Sequence, residues 1–477
     1  MIAALPRPPS LDRSKLADLL ALYDDPAGTV FDGIRRVPLG HVLHHAPGRA
    51  PRIERWFRPD TEQDHSIPVA SAPRMLLAQV QESVAASLPA SGPVAATLSG
   101  GLDSSTVVAT AAGLLRGSGR RLAAYTHVPM PGTADPSPLW EADDGPYAAA
   151  TAAHVGGIDV TELVNDGHTT PLVASDAAIR ATWQPPFNPS NQSWFNEAFS
   201  RAEVLGSPIL LTGAAGNFTF SRGRNGIVHD LARDHRWRAI AEDLRARHRA
   251  GTRWRPASRE ILREAVPDAV LRHYRRWRGV DREDSLPGVR DLPFRTELIS
   301  DEARADLETM RPTYRLSRSD FVQAALMDNA RLGFAQNLSD SVWWSDPLSD
   351  PHVISLALRL PEQAWLTGGL DRGLARAATA GLLPDRVRLR RTLGAQGADT
   401  ARITGGRTAP YRELLERIEA SPTASAVIDA TRLATSLDME LDDPDSVIHW
   451  QGVFGRAFAV GQFICWYDDE VLSPRRS

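Results

Sequence analysis

The stretch Ser99-Gly100-Gly101-Leu102-Asp103-Ser104-Ser105 constrains this chain more than any other. It follows a short apolar run, Val94-Ala95-Ala96-Thr97-Leu98, bounded upstream by Ser91-Gly92-Pro93, and precedes the Ala/Leu-rich stretch Thr106 to Leu115. The first run is too short for a helix and the second has helical length, so the pattern predicts strand, tight glycine turn, helix. Glycines let a backbone approach a ligand closely, and a fresh helix N-terminus presents unpaired N–H groups and the positive end of its dipole. Such a turn suits a phosphate. The hydroxyls of Ser99, Ser104 and Ser105 add donors, and Asp103 is placed to hold the magnesium ion that a polyphosphate carries. It is not a Walker loop, because no Gly-Lys-Ser/Thr follows.

The flanking segments repeat the same alternation. Ala72 to Leu88 has helical spacing, Arg121 to Val128 reads as a strand, and Pro129 to Gly145 as a polar loop. Pro146 to His154 reads as a helix and Ile158 to Leu163 as a further strand. Strands alternating with helices predict an α/β fold with a doubly wound parallel sheet, whose ligand sits beyond the carboxyl ends of the strands. The apolar Pro208-Ile209-Leu210-Leu211 runs into a second glycine-rich turn, Thr212 to Ser221. Two such turns on one sheet are best explained as two sides of one nucleotide site. Its candidate residues are Leu98, Ser99, Gly100, Gly101, Asp103, Ser104 and Ser105, then His127, and Thr212, Gly213, Gly216 and Asn217.

A chain of 477 residues has room for two or three domains. Hydrophobic content of 42% with 23% charged residues describes an ordinary globular protein. No apolar run approaches the ~18 residues of a membrane span, and Met1 to Ser10 lacks the apolar centre of a signal peptide. A single cysteine, Cys465, excludes an internal disulfide, so a cytoplasmic location is expected. The net charge of -4 gives no global reason to expect nucleic acid. Lys15 is the one lysine among 54 Lys and Arg residues, so almost no amine is available as acid, base or nucleophile.

Other segments carry weaker signals. Trp183 to Trp194 is dense in proline, asparagine and aromatics, which fits a rigid buried loop or a substrate wall equally well. Arg222 to Arg290 interleaves arginines and aromatics with many acids, a pattern better suited to a solvated helical or partner-binding surface than to nucleic acid. Phe321 to Leu338 reads as a helix, and Asp346-Pro347-Leu348-Ser349-Asp350-Pro351 as a turn before another. Four arginines lie close together between Arg386 and Arg391; a bound anion, or pairing with distant acids, would relieve their repulsion. Tyr411 to Tyr467 looks helical and structural.

The glycine loop resembles the pyrophosphate-binding loop of the ATP pyrophosphatase families, which cleave ATP to AMP and pyrophosphate. With the Leu-Leu-Thr-Gly turn, the proline–aspartate turn before a helix ending in Leu-Pro, and Leu382-Leu383-Pro384-x-x-Val387-Arg388, it occurs in the order seen in asparagine synthetase-type amide ligases. The resemblance covers roughly residues 90–400. It implies residues 1–70 as the remnant of an N-terminal glutaminase-like domain with its linker, and 71–400 as an ATP-binding synthetase domain. Residues 222–290 would be an arginine-rich helical insertion in that domain, and 401–477 a helical C-terminal segment. Three departures are visible. The glutaminase cysteine has no counterpart, since Cys465 lies at the wrong end. The Gly-Gly-Asp of the second turn reads Gly216-Asn217, one magnesium-binding carboxylate fewer. The family's catalytic lysine is also missing; its place falls near Arg390, Arg391 and Thr392, and the expected glutamate falls near Trp343, with Asp340 and Asp346 the nearest acids.

Four blocks look most like lasso-peptide macrolactam cyclases: Asn188-Pro189-x-Asn191, Thr212-Gly213-x-x-Gly216-Asn217-x-Thr219-x-Ser221, Asp346-Pro347-x-x-Asp350, and Arg391-x-x-Gly394-x-Gln396-x-x-Asp399. The resemblance implies ATP and Mg2+ as cofactors and a precursor peptide as substrate, with a leader-binding protein and a leader protease as partners. Asp103 would hold the metal, Arg390 and Arg391 would stabilise pyrophosphate or an oxyanion, and Asp346 or Asp340 would take the amine's proton. An ammonia-dependent asparagine synthetase, another small-molecule ligase such as a β-lactam synthetase, and a catalytically silent binding scaffold are the alternatives.

Overall fold

The organising strand is Val94–Thr97, whose four residues are all buried because both its faces are covered. The computed structural model describes residues 5–25, 27–60, 62–165, 169–224, 226–266, 270, 273, 277, 292–309, 341–438 and 453–473. In chain order the elements used below are α1 (Arg13–Leu20), β1 (His41–His44), β2 (Arg52–Arg55), α2 (Ala72–Ser87), β3 (Val94–Thr97) and α3 (Leu102–Arg116). They continue with β4 (Leu122–Val128), β5 (Trp140–Glu141), α4 (Gly145–Val155), β6 (Ile158–Val164), α5 (Pro171–Thr182) and α6 (Pro189–Leu205). The last are β7 (Ile209–Leu211), β8 (Trp343–Ser345) and β9 (Leu393–Gly394).

Five strands form one sheet in the order β6-β4-β3-β7-β8, every pair parallel. The expected parallel α/β sheet is thus present. Side chains alternate across it with the period of two that a pleated strand dictates. Val94, Ala96, Leu122, Ala124 and Leu211 enter the core shared with α2, α3 and α4, whereas Ala95, Tyr125, Leu210 and Trp344 enter a second core under α6. Chain order runs outward from β3 in one direction through β4 to β6, then returns to β7 on its other side. The reversal at β3 and β7 opens a crevice at their carboxyl ends, where α/β sheets bind ligands.

Some expectations shift. The 1–70 segment begins with α1 and includes an exposed antiparallel hairpin, β1 with β2. The Trp183–Trp194 segment is a loop only to Asn188, because Pro189 opens α6. Proline suits a first helical turn, whose N–H needs no partner. The fifth strand, β8, is three residues long and had no visible periodicity. Phe321 to Leu338 and the greater part of 267–291 lie outside the described residues. The described part of the arginine-rich segment is helical, and its charges pair: Arg224 donates to Asp243 at 2.6 Å, and Arg247 to the same carboxylate at 2.9 Å.

A separate core joins the two ends of the chain. Leu16 and Phe31 pack among Tyr411, Phe458, Phe463 and Tyr467, and the Tyr467 hydroxyl donates to the Pro9 carbonyl at 2.7 Å. Trp183 turns away from the crevice into this core, edge-on to Trp466 at 5.3 Å. Cys465 is buried there, and burial pushes its thiol up to about 11. No helix among the described residues is long and apolar enough to cross a membrane. Phe463 is fully buried in this core, so Phe463→Ala should cost about 3–5 kcal/mol, read as a lower urea midpoint with an unchanged slope.

Candidate functional site

The loop after β3 is shaped by its own serines. Ser104 Oγ donates to the Ser99 carbonyl at 2.8 Å, accepts from the Ser99 backbone N–H at 3.1 Å and lies 2.9 Å from Ser99 Oγ. Gly101 occupies the N-cap of α3 and brings no side chain to the first turn, so the helix N-terminus is left for an incoming acceptor. Ser105 faces the other way. It is fully buried against α4, where the Thr151 hydroxyl lies 3.5 Å from it, and it does not reach the crevice.

The two glycine turns interlock. A Cβ on Gly213 would lie 2.7 Å from the backbone N of Ser104, and one on Gly216 would collide with the Asp103 carboxylate. Glycine at these positions brings the β7 turn hard against the first turn of α3. Ser221 Oγ donates to Asp103 Oδ2 at 2.8 Å, while Asp103 Oδ1 is buried with no hydrogen-bond partner among the described residues.

Asp346, at the end of β8, reaches the same place. Its Oδ2 accepts from the Ala215 N–H at 2.7 Å and its Oδ1 from the Leu348 N–H at 3.0 Å, which ties the β8 end to the second glycine turn. Burial pushes Asp103 up to about 6; burial first, and then the charge of Asp103, push Asp346 up to about 7. Arg372 lies beside Asp103, its Nη1 4.0 Å from Asp103 Oδ2. Its backbone is left-handed, with φ of 56°, which costs free energy in a residue with a Cβ. Arg372 was not among the residues singled out from sequence.

Beyond the loop lies a cavity of ≈ 260 Å³. Of the sequence candidates, Leu98, Ser99, Gly101, Asp103 and Ser104 line it, as do His127, Thr212, Gly213 and Asn217. Gly100 sits behind it, packed on Tyr147, and Gly216 lies against Asp103. Asn188, Asn191 and Trp194 from the proline-rich segment line the cavity, so that part of the segment is wall rather than buried loop. Burial is the main force holding His127 below its ordinary pKa, against the pull of Asp399, Asp144 and Asp143.

The arginine segment behaves differently from its expected role. Arg390 is buried; its Nη1 donates to Asp144 Oδ1 at 2.6 Å, its Nη2 lies 2.9 Å from Glu141 Oε2, and its guanidinium covers the Tyr147 ring at 3.9 Å. It stands one residue behind the cavity, with Asp144 between. Parallel pairing of β5 with β9 brings these acids to it. Arg388 pairs with Asp385, and Arg386 lies over Tyr147. Arg391 is exposed and donates to the Ala250 carbonyl at 3.1 Å. Protein acids thus pair Arg388 and Arg390, whereas Arg386 and Arg391 meet a ring face and a carbonyl, and Arg390 and Arg391 do not share a site. Asp340 lies outside the described residues.

Residues 75–452, far more than half the chain, match the family described as asparagine synthase. The chain belongs to the asparagine synthase family. That membership places it among ligases that use ATP to form amide bonds. No curated protein matches the chain. Within this asparagine synthase fold, Tyr125, Asp144, Phe195 and Trp344 also line the cavity and escaped the sequence reading. Tyr125 was within reach, being two residues before His127 on one strand face; Trp344 was not, because nothing marked β8.

The two carboxyls give a pH signature. Each holds a proton in the folded chain that the unfolded chain has released, so the folded state loses stability as pH rises from about 4 towards about 7. Without divalent cations, the native protein should lose stability relative to Asp346→Asn across this interval, measured by urea denaturation at several pH values. A constant difference would show that Asp346 does not titrate there.

Proposed function

We propose that this asparagine synthase-family chain is an AMP-forming macrolactam synthetase. In this reading it adenylates a side-chain carboxylate of a precursor peptide and closes the ring with the peptide's amine. One observation carries the reading. Asn188 and Asn191, Asn217, and Gln396, taken from three of the four blocks that resemble lasso-peptide cyclases, line the same cavity as the Ser99–Ser104 loop.

The residues fit ATP with Mg2+. The uncapped start of α3 and the loop's backbone suit phosphates, which supports reading the sheet as one of the ATP pyrophosphatase type. Asp103 Oδ1, buried without a hydrogen-bond partner, suits a divalent cation, and Asp346 adds a second negative charge beside it. Such a cation would neutralise phosphate charge. Arg372, beside Asp103, takes the part of the missing lysine in holding the leaving pyrophosphate, a part that Arg390 cannot fill while committed to Asp144 and Glu141.

The chemistry then needs mainly positioning and charge stabilisation. A carboxylate oxygen of the substrate bonds to the α-phosphorus of ATP as the bond to the bridging oxygen breaks and pyrophosphate leaves. The amine next attacks the acyl carbon, AMP departs, and the amine's proton passes to solvent or a carboxylate. Asp144, on the cavity wall, is a candidate acceptor.

With ATP, Mg2+ and its precursor peptide, the protein should give a product lighter by one water, plus AMP. ATP consumed only to ADP would overturn the reading. Arg372→Ala should slow AMP formation by about 10²-fold or more, and Arg372→Lys should recover part of it. Asparagine formed from aspartate and ammonium without any peptide would instead favour a small-molecule ligase.

A further inference from the structure

Arg372 sits beside Asp103 in a conformation that a residue with a Cβ rarely adopts, with φ of 56°. Such a residue persists only where its surroundings over-determine it. The chain on either side does so. Arg376 Nε donates to the Asp371 carbonyl at 2.7 Å, and the Arg224 N–H donates to Asp371 Oδ1 at 3.1 Å. On the far side, a Cβ on Gly373 would lie 1.9 Å from the Thr367 carbonyl oxygen. The angle φ of Arg372 is measured from the peptide plane that carries the Asp371 carbonyl. Pinning that carbonyl therefore sets the direction in which the Arg372 side chain leaves the backbone.

Arg376 also reaches a second segment. Its Nη1 donates to the Arg388 carbonyl at 2.5 Å and its Nη2 to the Arg390 carbonyl at 2.8 Å. Arg388 Nη1 returns a bond to the Arg376 carbonyl at 3.3 Å. One planar guanidinium thus joins the Asp371 peptide to the chain that carries Arg390, whose side chain is anchored on Asp144 in the cavity wall. All three acceptors are neutral carbonyls. Burial holds the Arg376 pKa below its ordinary value; Asp371 opposes this, while the charges of Arg372, Arg391 and Arg388 add to it. A cation is costly in such a place, so its geometry has to account for it. A guanidinium offers donors in one rigid plane, whereas an ammonium is a point charge on a flexible stem.

Resting on the part given to Arg372 above, we propose that Arg376 is a positioning residue, its guanidinium bridging the Asp371, Arg388 and Arg390 carbonyls so that Arg372 is aimed at the leaving pyrophosphate. Arg376 is not among the residues that line the cavity, and it acts through Arg372, one helical turn before it. A cation aimed in advance needs no reordering when charge develops on the leaving group, which is where preorganised groups have their effect. The shape of the fork, rather than its charge, is what the site requires.

The test measures binding of pyrophosphate with Mg2+ to the full-length protein by titration calorimetry, with urea denaturation to check that each variant folds. Arg372→Ala should weaken binding about tenfold or more, and Arg376→Ala should come close to it. In the double variant, Arg376→Ala should add less than about twofold to the loss from Arg372→Ala, because the two act as one unit. Arg376→Lys keeps the charge without the fork and should bind as poorly as Arg376→Ala. Should Arg376→Ala not fold, Arg376→Lys replaces it in the same cycle with Arg372→Ala. If Arg376→Lys binds as the native protein does, charge suffices and the inference fails. It fails equally if the losses from Arg372 and Arg376 add in full, since a merely structural role gives that result, or if Arg376 variants bind normally while Arg372→Ala does not. If the native protein binds no pyrophosphate, or Arg372→Ala binds it unchanged, the part given to Arg372 has itself failed.

Discussion

Everything at this site depends on how closely the second glycine turn approaches the first turn of α3. With no side chain at Gly213 or Gly216, the β7 turn presses on Ser104 and Asp103, and Ser221 reaches the Asp103 carboxylate. That approach buries a carboxylate with one oxygen unanswered. It also brings Asp346 close enough to feel its charge, because Asp346 is pinned by the Ala215 N–H of the same turn. The sheet order supplies the reason for the meeting. β3 and β7 are neighbours although the chain visits β4 and β6 between them, so two segments over a hundred residues apart emerge side by side.

Two buried carboxylates, one close enough to raise the other's pKa, are costly to hold ionised together. Desolvation favours their neutral forms, whereas Ser221 and the backbone N–H donors favour the ionised ones. Arg372, held in a left-handed conformation 4.0 Å from Asp103, offsets only part of the negative charge. Arg390 shows the contrasting solution. Its guanidinium meets two carboxylates and a ring face, so its charge is already satisfied by the fold.

The sequence made the sheet and the loop side of the crevice legible because local signals coincided there. An apolar run, a glycine turn and a helical stretch agreed on β3 and α3, and the same logic reached β7 and its turn. What stayed hidden depends on distant chain. β8 is three residues long, so Trp344 carried no period. Arg372 lies far from the segment where the family's lysine falls, and only packing shows it beside Asp103. The partners of Arg390 were invisible for a similar reason: Glu141 and Asp144 come to it through a two-residue pairing of β5 with β9. The proline-rich segment divides within a few residues, with Trp183 joining the core and Trp194 the cavity, because Pro189 starts a helix between them.

The core that joins Leu16 and Phe31 to Phe463 and Tyr467 bears on how the chain is made. During synthesis, the apolar face of α1 emerges long before its partners. Contacts between the ends of a chain are the slowest to form, and exposed apolar surface invites aggregation while it waits. The central sheet, built from β3 to β7 with most of its partners nearby in sequence, can assemble earlier. A newborn molecule would thus pass through a state with a formed sheet and an unclosed seam.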